Sequence, residues 1–176
     1  ETVYKQGVYF PKNPEKIVGG KEIIYRSSWE GAFCQWCDDN PLVLHWGSEP
    51  CQIQYKDPSH VDFEEFKKNN MDPKNPLNWS DANYYPDFVI ELKNENDDGV
   101  RRILIEIKPK NQTYPPILPK NSKSGSAYSK FVRDSRKYIQ NRAKWEAGAA
   151  WAEEHGMEFE ILTEDTLVKL GLIPPK

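Results

Sequence analysis

Two short segments contain residue types that can support metal-dependent chemistry. Pro86-Asp87 lies in one β-rich segment, and Glu106-Ile107-Lys108 lies in the next. Side chains alternate along a strand, so Glu106 and Lys108 share one face while Ile107 points to the other, toward the core. Pairing of the two segments as an antiparallel hairpin can then bring Asp87 beside Glu106.

Two carboxylates a few ångströms apart repel each other unless a cation lies between them. Because oxygen ligands without His or Cys favour Mg²⁺ or Mn²⁺, we expect Asp87, Glu106 and the Ile107 carbonyl to bind such an ion. The ion would activate a water and polarise a phosphate, while Lys108 steadies that water or the developing charge. The predicted chemistry is phosphodiester hydrolysis, although a surface acid and an ion pair across the pleat also fit the pattern.

Glu30 is a candidate third carboxylate. It follows Ser27 at Ser-x-x-Glu spacing, which predicts the start of a helix, and apolar residues follow at helical spacing until Asn40-Pro41. Glu30 would hold the metal or orient the water. The alternative is that it serves only as the glutamate of a capping box.

The remaining periodicities predict an α/β fold with a mixed central sheet flanked by helices, in the order helix, three or four strands, helix, strand and a last short helix. We expect a single domain over residues 1–176, with an irregular N-terminal arm at 1–24 and a polar insertion at 56–83. Further strands are predicted at 42–46, 51–55, 84–93, 100–108 and 157–162, and further helices at 134–155 and 163–170.

Composition excludes several classes of protein. Hydrophobic residues make up 38% of the chain and aromatic residues 12%, which is too many for a disordered protein. No apolar run approaches the roughly 20 residues that span a bilayer, so we expect a soluble protein with no membrane partner and no visible secretion signal. Three cysteines do not suit a disulfide framework, and Cys34 and Cys37 are better explained as buried thiols than as zinc ligands.

Positive charge is concentrated in one part of the chain. Residues 101–144 contain twelve Lys and Arg but only two acids, Glu106 and Asp134, although the whole chain has a net charge of −3. Such a segment can face DNA phosphates, or it can be an ordinary solvated helix face. The candidate DNA-binding residues are Lys110, Lys120, Lys123, Lys130, Arg133, Arg136, Lys137, Asn141, Arg142 and Lys144.

The order of elements and the Asp87, Glu106 and Lys108 set resemble the PD-(D/E)XK nuclease superfamily. Longer blocks are similar to the head completion nucleases of contractile-tailed phages over nearly the whole chain. These blocks are IYRSSWE at 24–30, WGSE at 46–49, YPDF at 85–88, IEIKPK at 105–110, NRAKW at 141–145 and ILTE at 161–164.

The resemblance implies a metal-dependent DNA endonuclease in which Glu30, Asp87, Glu106 and Lys108 are the metal and catalytic residues. It also implies that Asn141 and Lys144 lean toward the site, since they lie in a shared block. The expected substrate is double-stranded DNA, and the expected role is trimming packaged DNA before tail attachment. Head, portal or neck proteins would be the partners, in the host cytoplasm during assembly or in the virion.

Two alternatives remain open on the sequence. A relative of the same fold can cleave transposon ends or act in DNA repair. A virion structural protein can keep the fold only to bind DNA or the portal, although nothing structural requires all four acid and lysine positions.

Overall fold

The computed structural model describes residues 6–20, 22–121 and 125–176. They divide into two compact units. The first lies within Glu1–Gln52, Tyr85–Lys110 and Ala149–Lys176, and the second within Ile53–Tyr84 and Asn111–Gly148. In chain order the elements are β1 (Gly7–Tyr9), β2 (Ile23–Tyr25), α1 (Ser28–Asp39), β3 (Val43–Ser48), β4 (Ile53–Asp57), α2 (Phe63–Lys68), β5 (Ser80–Tyr84), β6 (Phe88–Lys93), β7 (Val100–Ile107), α3 (Ser126–Glu154), β8 (Glu158–Leu162) and α4 (Glu164–Lys169).

A four-stranded mixed sheet forms the centre of the first unit, with strand order β3-β6-β7-β8. β6 is antiparallel to both β3 and β7, whereas β7 and β8 are parallel. A parallel pair needs a long crossover connection, which the chain between Lys108 and Met157 supplies with α3. The predicted hairpin and the predicted mixed sheet with flanking helices are therefore confirmed.

Helix α1 packs on this sheet through its apolar stripe. Phe33, Cys34 and Cys37 are buried in one cluster with core residues of the sheet, and the rings of Phe33 and Phe88 lie 4.9 Å apart. This contact fixes the helix over the start of β6. Both helical cysteines are buried free thiols, as the sequence predicts.

The N-terminal arm is more regular than the sequence indicates. β1 and β2 form a two-stranded antiparallel sheet, so the prediction of an irregular arm over 1–24 is wrong for its described part. Asp38, at the end of α1, accepts hydrogen bonds from the Tyr9 hydroxyl at 2.8 Å and the Lys12 backbone N–H at 2.7 Å. These bonds hold the arm against the helix.

The second unit contains the segment predicted as a polar insertion. β4 and β5 pair antiparallel, and α2 lies between them in sequence, so 56–83 is not a structureless loop. Asp57 is buried at the end of β4 and accepts hydrogen bonds from the Ser59 backbone N–H and the Gln140 side-chain amide, both at 2.8 Å. Gln140 belongs to α3, and the bond ties that helix to the strand pair.

Two element boundaries differ from the prediction by more than two residues. The first strand of the hairpin begins at Phe88, because Tyr84 ends β5 and the chain turns between the two strands. Helix α3 begins at Ser126, eight residues before the predicted start at Asp134. In the described part of the chain, no helix combines the length and apolar character needed to cross a bilayer.

Candidate active site

The register of β6 and β7 brings the predicted acids to the same level of the sheet. Phe88 pairs with Ile105, so Asp87, directly before β6, lies opposite Glu106. Residues opposite each other in an antiparallel pair project from the same face. On the other face, Ile105 and Ile107 are buried in the core cluster, as strand alternation predicts.

Two backbone hydrogen bonds hold Asp87 in place. Its Oδ2 accepts from the Ile107 N–H at 2.7 Å, and its carbonyl accepts from the Glu49 N–H at 2.9 Å. Burial raises the pKa of Asp87 well above its usual range, and the charges of Glu106 and Glu30 raise it further. The Ile107 hydrogen bond and the charge of Lys108 only partly offset these effects. A carboxylate in this position is stabilised by an added cation.

Glu106 and Lys108 form a close pair on the same strand face. The Lys108 Nζ lies 3.2 Å from Glu106 Oε1. Glu106 is 6% exposed, and the Lys108 side chain retains 20% of its exposure. The amine therefore stands beside the two acids at a point that solvent or a substrate can still reach.

Glu30 lies in the first turn of α1 and is bound to the segment before the helix. Its Oε2 accepts from the Arg26 N–H at 2.9 Å, and its own N–H donates to the Ser27 Oγ at 3.2 Å. Burial raises the pKa of Glu30, the Arg26 hydrogen bond opposes this, and the charge of Glu106 adds to it. The capping arrangement is thus present, and the charge of Glu30 is also close enough to Asp87 to raise the pKa of that carboxyl.

Arg26 and Glu49 belong to the site although the sequence patterns gave them no role. The Arg26 guanidinium binds Glu49 Oε1 at 3.0 Å, and Glu49 has a left-handed backbone with φ of 44°. That conformation is rare for a residue with a side chain, and here it occurs together with the hydrogen bond from the Glu49 N–H to the Asp87 carbonyl. No spacing rule links residues 23 positions apart. The only available signal was that both lie in the blocks shared with the phage nucleases.

The acids do not form a closed metal cage. Among residues 6–20, 22–121 and 125–176, no group of three or more His, Cys, Asp and Glu side chains is arranged to hold a metal ion. The ligand set of Asp87, Glu106, the Ile107 carbonyl and Glu30 therefore stays a prediction. Protein ligands to Mg²⁺ are typically one or two carboxylates, with water and substrate phosphate completing the shell.

The predicted DNA-binding residues differ in their surroundings. Lys110 forms an ion pair with Asp165 at 2.7 Å, and Asn141 is buried. Lys144 is half-buried, and Lys123 lies outside the described residues. The exposed members of the set are Lys110, Lys120, Lys130, Arg133, Arg136, Lys137 and Arg142.

Comparison with known proteins agrees with this geometry. A family model described as TnsA-like endonuclease N terminal matches residues 40–164. The protein named head completion nuclease of Enterobacteria phage T4 is 35% identical over 166 residues, which are 94% of this chain and 95% of that protein. The mixed sheet with flanking helices is the restriction-endonuclease-like core expected of such domains. On these similarities, this chain belongs to the head completion nuclease family and contains a TnsA-like endonuclease N-terminal domain.

Proposed function

We propose that this chain is a divalent-metal-dependent endonuclease that hydrolyses phosphodiester bonds in double-stranded DNA. The observation that carries the proposal is the register that sets Asp87 opposite Glu106, with Lys108 two residues farther along the same strand face. An acid pair with an adjacent amine is suited to phosphodiester hydrolysis. Membership of a nuclease family supports the same chemistry.

Asp87, Glu106 and the Ile107 carbonyl are the proposed ligands of Mg²⁺ or Mn²⁺, with Glu30 as a further acid. The fit rests on Asp87, whose raised pKa reflects burial beside two other negative charges that a cation would offset. A set of oxygen donors without His or Cys also suits these hard ions. When bound, such an ion lowers the pKa of a coordinated water and offsets the charge of the scissile phosphate.

Lys108 and Glu30 have separate proposed roles beside the ligands. The Lys108 ammonium stabilises the negative charge that develops on the phosphate in the transition state. The raised pKa of the Glu30 carboxyl brings it closer to the neutral range in which a group exchanges protons with water effectively. Glu30 is accordingly proposed to orient the attacking water.

The biological setting follows from the phage relative. The name of the T4 protein supports a role in head completion, and we propose that this chain trims packaged DNA and readies the head for tail attachment. Head, portal or neck proteins are the proposed partners. The proposed location is the host cytoplasm during assembly, and then the virion.

Nicking of supercoiled plasmid tests the enzymatic proposal. The parent protein should convert the plasmid to open circles with Mg²⁺ or Mn²⁺ and stop when EDTA removes the ion. Asp87→Asn should lose roughly 100-fold or more of this activity. The same change at Asp81, an exposed strand residue paired with Lys56, should leave the rate unchanged.

Two results would contradict the proposal. One is equal nicking by the parent and Asp87→Asn, and the other is no nicking by a folded parent with either ion. Circular dichroism of all three proteins confirms that the comparison is made between folded chains. Silence of the parent would favour a structural role in the virion.

A further inference from the structure

The second unit contains a cavity whose lining includes none of the site acids Glu30, Asp87 and Glu106. It has a volume of about 700 Å³ and lies between residues 111–119 and the first half of α3. Its walls combine amide side chains and aromatic rings, contributed by Asn111, Gln112, Asn141, Tyr114, Phe131 and Tyr138. Rings stack on the faces of a nucleobase, and amides form hydrogen bonds with its polar edge.

Asn141 is the strongest indication that this cavity takes a polar ligand. The residue is 5% exposed and lines the cavity. Within the described part of the chain, its side-chain amide forms no hydrogen bond. Among the described residues, the fully buried side-chain groups that lack a partner are the indole N–H groups of Trp46 and Trp145, so the Asn141 amide is not one of them. It keeps accessible surface at the cavity wall, where the polar edge of a base can exchange hydrogen bonds with it.

The charges around the cavity suit a phosphate next to that base. Lys130 and Lys137 both line the cavity, together with one acid, Asp134. Lys130 forms an ion pair with Asp134 at 2.5 Å, which neutralises the acid. The exposed Lys137 then leaves the wall with net positive charge, and phosphate contacts of this kind position a nucleic acid strand.

We propose that this cavity binds an unpaired nucleotide of the DNA substrate. The base lies among Tyr114, Phe131 and Tyr138, its edge meets Asn141, and its phosphate meets Lys137. A base inside a duplex is stacked on both faces, so only a frayed, flipped or single-stranded nucleotide can enter such a cavity. The inference rests on DNA being the substrate, and it specifies DNA with an unpaired end.

Binding without cleavage tests the cavity directly. Fluorescence anisotropy in EDTA compares a short blunt duplex with the same duplex carrying a single-stranded overhang. The parent should bind the overhang duplex roughly fivefold more tightly or better, which corresponds to at least one base stacked on an aromatic ring. The measured quantity is the ratio of the two dissociation constants.

Tyr114 and Leu118 offer a matched pair in one loop. Both are exposed, but only Tyr114 lines the cavity, so neither substitution should unfold the chain. Tyr114→Ala should bring the ratio close to one, while Leu118→Ala should keep the parental ratio. Arg136 and Lys137 form a second pair, since both are exposed and only Lys137 lines the cavity. Lys137→Ala should lower the ratio, whereas Arg136→Ala should weaken binding of both duplexes alike and leave the ratio unchanged.

Asn141→Leu separates ligand binding from structure. The substitution keeps a side chain of similar volume and removes the donor and acceptor atoms at the cavity wall, so stability should change by less than about 1 kcal/mol while the overhang preference falls. A purely structural role of Asn141 predicts the opposite, a lower melting temperature with the preference intact.

Equal binding of blunt and overhang duplexes by the parent would overturn the proposal. So would equal effects of Tyr114→Ala and Leu118→Ala, which would indicate general surface binding or a groove for a protein partner. The outcome is independent of the nicking assay. If the parent protein prefers overhang duplexes but never nicks plasmid, the cavity proposal is supported and the nuclease proposal is refuted. If the parent nicks plasmid but binds both duplexes equally, the nuclease proposal is supported and the cavity proposal is refuted.

Discussion

The side chain of Glu30 can serve a structural role and a chemical role at once. Its carboxylate accepts from the Arg26 N–H, and its backbone N–H donates to Ser27, so it belongs to the cap of α1. Its raised pKa comes from burial and from the charge of Glu106, which are properties of the acid cluster. The two roles depend on different features, since the cap needs an acceptor and the chemistry needs an ionisable acid.

Glu30→Gln should therefore separate the roles. The amide oxygen can still accept from the Arg26 N–H, so the free energy of unfolding should change by less than about 0.5 kcal/mol. Plasmid nicking should fall roughly 100-fold or more, because an amide cannot exchange a proton with water. Urea denaturation and the nicking rate measure the two effects on one protein.

Glu30→Ala is the companion to this variant. It removes the acceptor as well as the acid, and should cost about 1 kcal/mol of stability in addition to the activity. Parental nicking by Glu30→Gln would show that Glu30 serves the cap alone.

The sequence predicts where Asp87 and Glu106 lie, but it does not predict the contacts that hold Asp87 in place. Strand alternation and hairpin pairing suffice to put Asp87 beside Glu106, because both rules are local and periodic. The contacts of Glu49 do not follow from any period. Its left-handed backbone and its hydrogen bond to the Asp87 carbonyl arise only when β3 and β6 have paired.

At the scale of elements, the end of α1 is fixed by the N-terminal arm. Asp38 is buried and accepts hydrogen bonds from Tyr9, Lys12 and Asn13, with the Asn13 N–H at 3.0 Å. Lys16 adds a second tie, since its Nζ lies 2.6 to 2.9 Å from three carbonyl oxygens at the end of the helix. A cation at this end also offsets the partial negative charge of the helix dipole.

Asp38→Ala should destabilise the protein by about 3 kcal/mol, because several partly buried hydrogen bonds to a charged acceptor are lost together. The neighbouring Asp39 pairs with Lys12 at 3.3 Å on the surface, so Asp39→Ala should cost less than about 1 kcal/mol. Urea denaturation of both variants at neutral pH measures the difference. Equal losses would show that the arm contributes nothing beyond surface charge.

The contribution of Asp38 should also depend on pH. Burial opposes its ionisation, but hydrogen bonds from Lys12, Tyr9 and Asn13 outweigh burial and lower the pKa of Asp38 below its usual value. Its stabilising effect is therefore fully present above about pH 4, the ordinary aspartate range, and is lost as the pH falls through the lower folded-state pKa. The stability gap between the parent and Asp38→Ala should be constant from pH 7 to about pH 5 and should narrow in stronger acid.

β5 and the first turns of α3 were not predicted from the sequence, and the physical reason is the same for both. β5 has the sequence SDANY, and its polar side chains give no apolar alternation, although its backbone pairs fully with β4. The first turns of α3 are mostly exposed and lack a continuous apolar stripe, so the predicted start fell at Asp134. Periodicity finds elements that bury one face, as α1 and β4 do, and misses elements held by backbone pairing or helix propensity alone.

Positive and negative charges are distributed unevenly along the chain. A net charge of −3 gives no general attraction for DNA, so we expect binding to depend on the local excess of Lys and Arg within 101–144. The exposed Arg133, Arg136 and Arg142 are spread along α3. Contacts of this kind give affinity without sequence preference, which is compatible with the proposed trimming of packaged DNA.

Replacing Arg133, Arg136 and Arg142 together by Ala should weaken duplex binding and change its response to salt. Each phosphate contact contributes about −0.9 to the slope of log K against log salt concentration, so loss of three contacts should make the slope shallower by about 2 to 3. Anisotropy titrations of a blunt duplex in EDTA, at several salt concentrations, measure this slope.

Lys67, Lys68 and Lys74 give the matched control, because they are equally exposed but lie beside Glu64, Glu65 and Asp72. Their replacement by Ala removes the same formal charge, and the slope should stay near the parental value. If both triple variants shift the slope equally, affinity depends on net charge and the basic segment has no special role. If only the α3 variant does, the phosphates contact that helix, as charge clustering in the sequence indicates.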